Sequence, residues 1–161
     1  MAEMSEVAKL RSLAQLDADA VGAYDAAIAR VAEPLVRERL NDFRGDHVRH
    51  VQDLNVLIQR FGGAPVELKP DLKGTAMRGL TAVTSMMGTE AALVAMLGNE
   101  EFSNRAYELA LQFDWSPEVR SLIQKNREDE HRHLTWIRDA VRNRPWLREG
   151  ASATGGSEIQ A

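Results

Sequence analysis

The sequence predicts an all-α fold: a four-helix bundle built from two repeated helical hairpins, with a long crossover between helices two and three. Three observations carry this. Four stretches place apolar residues at spacings of three and four, the seam of a core-facing helix. Between them stand Pro34, Gly62-Gly63-Ala64-Pro65 and Ser116-Pro117, residues that stop one helix or open the next. Finally, Asp17 to Leu54 aligns without gaps to Glu100 to Ile137 at an offset of 83, with ten of 38 pairs identical.

Ser5 is placed to cap a first helix running to about Val31, with the seam Leu10, Leu13, Asp17, Ala20, Tyr24, Ala27 and Val31. Pro34 opens the second, whose seam reads Val36, Leu40, Phe43, His47, His50, Leu54, Leu57 and Phe61 before the Gly62-Gly63 stop. Residues 64–88, with Pro65, Pro70, Gly74, Gly79 and Gly88, are the one long connection, and a short helix is expected over Thr75 to Met87. Thr89 then caps a third helix with the seam Leu93, Met96, Glu100, Ser103, Tyr107 and Ala110. Ser116 caps and Pro117 opens the fourth, which runs to about Arg144 on Val119, Ile123, Asn126, Glu130, His133, Ile137 and Ala140. The bundle is expected over residues 1–147 and a disordered tail over 148–161, where EGASATGGSEIQA has nothing to bury. Trp146 and Leu147 are expected to dock on the bundle end.

A chain of 161 residues buries roughly two-thirds of its unfolded surface as a single domain, so it needs no staples. Its lack of cysteine excludes disulfides, zinc–thiolate sites, iron–sulfur clusters and thiol catalysis. A net charge of −4, with arginines mixed among acids, gives no footprint for nucleic acid. Glu3, Glu6, Lys9 and Arg11 stand where a signal peptide would be apolar, and the run Ala91 to Leu97 is too short to span a bilayer. No membrane partner and a cytoplasmic location are expected, with a homodimer as the default assembly.

Each seam is apolar except in its middle. Asp17, His47, His50, Glu100, Glu130 and His133 occupy positions where leucine would normally sit, and the repeat pairs Asp17 with Glu100, His47 with Glu130 and His50 with His133. Residues three apart on a helix differ by about 60° in direction, so His47/His50 and Glu130/His133 each project as a pair. Buried, such groups cost several kcal/mol each unless a counter-charge meets them. Three carboxylates and three imidazoles facing one another suit a divalent first-row ion: iron, manganese or zinc.

The spacing from Glu100 to Tyr107, followed by Glu130-x-x-His133, resembles the ferritin-like superfamily, in particular a rubrerythrin-like di-iron domain. The first half, Asp17 to Tyr24 and then His47-x-x-His50, follows the same spacing with altered ligands. The Gly62-Gly63-Ala64-Pro65 loop and overall layout look similar to a bacterial family of small ferritin-like bundles, over roughly residues 5–144. The resemblance implies a metal site of Asp17, His47, His50, Glu100, Glu130 and His133, holding two iron or manganese ions that react with dioxygen or peroxide. Two departures matter: His47 stands where that pattern has a bridging Glu, and Asp17 replaces a longer Glu. A single ion, an asymmetric pair and a vestigial site all fit that count. Nothing resembles a rubredoxin domain, so an electron source would be external.

Asp46 and Asp129 lie off the seam, four residues before His50 and His133, where they would orient the imidazoles. Tyr24 and Tyr107 would hydrogen-bond ligand carboxylates. His131 lies about 200° from His133 and faces solvent. Glu101 and Glu108 are read as solvated or paired with arginine, Met86, Met87 and Met96 as filler, and Arg138, Arg142, Arg144 and Arg148 as complements to the last helix's dipole. Two other readings of the layer remain: an iron-handling or stress-related metal-binding protein without turnover, and a metal-free bundle whose polar layer fixes helix register.

Overall fold

The computed structural model describes residues 4–69 and 88–147. Among them are four long helices and no strand: α1 (Glu6–Ile28), α2 (Pro34–Arg60), α3 (Gly88–Ala110) and α4 (Pro117–Asn143). The repeat is visible in the elements themselves, since α1 and α3 each have 23 residues and α2 and α4 each have 27. The short helix expected over 75–87, Met86, Met87, Arg148 and the tail lie outside the described residues.

Local chemistry sets the ends. Ser5 accepts the Ala8 N–H at 3.2 Å and caps α1. That helix closes at Ile28 rather than Val31, because the amides of Arg30 and Val31 turn to i−3 carbonyls and tighten the last turn. At Ser116 the side chain makes no capping bond; Pro117 presets the first helical φ, and the Arg120 N–H reaches the Ser116 carbonyl at 2.9 Å. Thr89 lies inside α3 instead of capping it, and its hydroxyl donates to Glu33 across the bundle end. Gly62 takes φ 80, the left-handed stop that glycine adopts without strain.

α1 packs on α2 and α3 on α4 as hairpins, and the hairpins meet through α1 with α3 and α2 with α4. After α2 the chain returns along α1, where Gln15 donates to the Lys69 carbonyl at 3.0 Å. Thr89 then starts α3 beside Glu33, at the opposite end. Two apolar clusters fill the interior. One gathers Leu10, Leu13, Leu54, Ile58, Trp115, Val119 and Ile123, the other Val36, Leu40, Phe43, Leu93, Met96 and Ile137. Trp146 packs against the second cluster, whereas Leu147 remains 60% exposed. Between the clusters lies a layer of ionisable side chains.

Candidate metal centre

All six seam residues meet in that layer. Asp17 from α1, His47 and His50 from α2, Glu100 from α3, and Glu130 and His133 from α4 are each 0% exposed. Their ligand atoms fall into two groups within 4.8 Å: Asp17, His47, His50 and Glu130, and His47, Glu100, Glu130 and His133. His47 and Glu130, paired by the repeat, belong to both.

The tyrosines cross between hairpins. Tyr107 on α3 donates to Asp17 Oδ2 at 2.5 Å, and Tyr24 on α1 donates to Glu100 Oε1. Above the layer, Asp46 and Asp129 grip the outer edges of two imidazoles: His133 Nε2 lies 2.8 Å from Asp46, and His50 Nε2 3.1 Å from Asp129. Arg49 and Arg132 each bridge both aspartates, at 2.5–2.9 Å, and close the α2–α4 face. This exchange of partners is what two repeats related by a pseudo-twofold axis produce.

Burial and charge set the protonation of the layer. Asp17 would be raised by burial, but the hydrogen bonds of His47 and His50 outweigh it and hold its carboxyl at about 2. Glu100 is likewise held below its ordinary range, because the adjacent His133 and His47 imidazoles overcome burial. Glu130 goes the other way: burial, with the Glu100 and Asp17 charges adding, pushes it up to about 7 against the pull of His47 and His50. Burial opposes charge on the imidazoles, yet Glu130, Asp17 and Glu100 raise His47 well above its usual value, Asp129 and Asp17 raise His50 to about 10, and Asp46 and Glu100 raise His133. Both tyrosines are raised by burial and adjacent carboxylates, so they act as neutral donors.

Hydrogen bonding inside the layer is uneven. Asp17 is saturated, whereas both Glu130 oxygens, Glu100 Oε2 and His133 Nδ1 are buried without a hydrogen-bond partner. Glu130 Oε1 lies 3.4 Å from His47 Nδ1 and 3.3 Å from His50 Nδ1, but both nitrogens are directed at Asp17. Orphaned buried carboxylate oxygens are rare, because each loses its solvation without return. Three such oxygens on Glu100 and Glu130, together with the unpartnered His133 Nδ1, fit a cation, which replaces the missing donors and accepts the free imidazole lone pair.

Residues 5–113 match the model of a family described as a domain of unknown function, DUF2383. The chain belongs to the DUF2383 family. The DUF2383 match covers α1, α2 and α3, and with them Asp17, His47, His50 and Glu100, whereas Glu130 and His133 lie beyond it. No curated protein and no solved structure matches the chain.

Several parts of this DUF2383 site escape a seam-only reading. Asn104 is buried and donates to the Glu100 and Glu130 carbonyls at 2.9 and 2.8 Å, tying α3 to α4 beside the site. Asn126 sits on the seam and donates to the Tyr107 hydroxyl at 3.3 Å, where its repeat mate Phe43 instead stacks on His133 at 4.3 Å. Arg49 and Arg132 carried a signal in being identical across the repeat. Glu101 and Glu108 pair with Arg138 and Arg127 at 3.6 and 3.1 Å, and His131 is exposed.

Proposed function

We propose that this DUF2383 protein binds iron or manganese in the bundle core, with the ferritin-like metal proteins as its functional model, and uses the ion in redox chemistry with dioxygen or peroxide. Zinc also suits the donor set. The observation that carries the reading is Glu130: a fully buried carboxylate, neither of whose oxygens has a hydrogen-bond partner. Asp17, His47, His50, Glu100, Glu130 and His133 supply the oxygen and nitrogen donors available to hold metal there. A bound iron or manganese would supply one-electron chemistry toward a small oxidant.

The chain's own contribution is positional. The Leu10–Ile123 and Val36–Ile137 clusters exclude water on either side of the layer. Tyr24 and Tyr107 donate to Glu100 and Asp17 and hold those carboxylates in fixed rotamers. Asp46 and Asp129 hold the outer nitrogens of His133 and His50, and Arg49 and Arg132 fix the aspartates. Elemental analysis of untagged protein purified without chelator tests the reading, with a Glu130→Ala, His133→Ala double variant alongside. Iron or manganese lost in the variant supports it, and ferrous oxidation with oxygen consumption separates turnover from simple iron handling. Near-zero metal that added ferrous or manganous ion cannot restore sinks it.

One observation favours a second reading, a metal-free register-fixing network: three imidazoles with raised pKa balance the three carboxylates without an ion. On that reading Glu130→Leu raises the melting temperature whether or not metal is added, whereas on the first reading added iron or manganese stabilises only the wild type.

A further inference from the structure

The two overlapping ligand groups are not equivalent, and the difference lies in which atoms already have partners. In the Asp17 group the acid is fully used: Oδ1 lies 2.8 Å from His47 Nδ1 and 3.2 Å from His50 Nδ1, and Oδ2 accepts the Tyr107 hydroxyl at 2.5 Å. A ring nitrogen that donates a proton has no lone pair for an ion. His50 has carboxylates against both nitrogens, Asp17 at Nδ1 and Asp129 at Nε2. The Glu100 group is the opposite case, with Glu100 Oε2, both Glu130 oxygens and His133 Nδ1 unpartnered.

Two of the imidazoles are also set up from behind. Asp46 lies 2.8 Å from His133 Nε2, and Asp17 lies 2.8 Å from His47 Nδ1. A carboxylate on one ring nitrogen fixes the tautomer and leaves the other nitrogen as a more basic ligand, the usual support of a metal-bound histidine. The nitrogens that face the Glu100 group are His133 Nδ1, unpartnered and 3.7 Å from Glu100 Oε2, and His47 Nε2, whose 3.3 Å hydrogen bond to Glu100 Oε1 joins two members of that group, whereas both hydrogen-bond partners of His50, Asp17 and Asp129, lie outside it.

Resting on the metal reading above, we infer that the layer holds a single divalent ion, on Glu100, Glu130, His133 Nδ1 and His47 Nε2, with Asp17 and Asp46 as positioning carboxylates and His50 outside the ligand set. Two carboxylates neutralise one divalent charge. A second ion would have to break the Asp17 bonds to His47 and His50, and would set four positive charges against the three carboxylates of the layer. The repeat has thus diverged: the second half supplies Glu100, Glu130 and His133 as ligands, and the first supplies His47 with the positioning Asp17 and Asp46.

The test is titration of the chelator-stripped full chain with cobalt(II) alone, followed by visible absorption and by elemental analysis after desalting. The expected result is one cobalt per chain, lost on Glu130→Gln. Asp17→Asn should keep one cobalt while shifting its visible bands and weakening affinity by about 10- to 100-fold, the usual cost of losing an orienting partner. His50→Gln should also keep one. Far-UV circular dichroism checks that each variant folds, and wild-type stoichiometry decides the matter without them. Two cobalt ions per chain, or abolished binding in folded Asp17→Asn or His50→Gln, would overturn the single-ion assignment and leave the metal reading standing. No cobalt bound at all would overturn both.

Discussion

Replacing Glu130 by Gln should stabilise the metal-free protein, and by an amount that depends on pH in a defined way. The carboxyl is fully buried, has no hydrogen-bond partner and is raised from 4.5 to about 7. Below pH 4.5 it is protonated in folded and unfolded chains alike and its charge costs nothing. Between 4.5 and about 7 only the unfolded chain releases the proton, so stability falls as pH rises, and above about 7 the full cost is present. At about 1.4 kcal/mol per pH unit, that cost is about 3 kcal/mol. Gln keeps the shape and cannot ionise. Its advantage over the wild type should therefore grow by about 3 kcal/mol between pH 4.5 and 8, equivalent to roughly 6–12 °C in melting temperature for a domain of this size. Urea melts followed by far-UV circular dichroism, in chelator at several pH values, measure this directly. A stability difference that stays flat across that range, or a Gln variant that loses ground as pH rises, would show that Glu130 is solvated or hydrogen-bonded and would refute the reasoning. Saturating metal should reverse the order, since only the wild type has the ligand.

Asp46→Asn should weaken metal binding by about 10- to 100-fold, because Asp46 holds the imidazole of the proposed ligand His133, whereas Asp129→Asn, which touches His50, should leave affinity near wild type; competition titration with a chromophoric chelator measures both. Gly63→Ala should cost about 1–3 kcal/mol in denaturant melts, since its Cβ would fall 2.5 Å from Val7 Cγ1 and 2.9 Å from Ile58 Cγ2. Gly98→Ala, in open space within α3, should instead gain up to about 1 kcal/mol in the same assay through helix propensity.

Much of the architecture was legible because helix periodicity is a local property. The seams name the buried faces, Pro34 and Pro117 open α2 and α4 where expected, and the offset of 83 sends α2 onto α4 residue for residue. The depth of the polar layer was legible for the same reason: a charged residue in the middle of every seam must lie at the middle of the bundle. End details were less so. Val31 falls outside α1, and Ser116 and Thr89 do not cap, because these depend on how a neighbouring turn closes or which side chain from another helix arrives first.

The sequence by itself determined that acids and imidazoles would share one dry layer in an all-α bundle. Only the tertiary structure decided which of their atoms are already bonded. Asp17 and Glu100 are equivalent in the repeat, yet Asp17 collects two imidazoles and a tyrosine while Glu100 keeps an oxygen bare. That asymmetry follows from His47 standing opposite Glu130: an imidazole can donate to the nearby aspartate, and a carboxylate in the same place cannot. A hydrogen bond is won or lost over a few tenths of an ångström and the direction of one proton, quantities that three-dimensional packing sets and residue spacing does not encode.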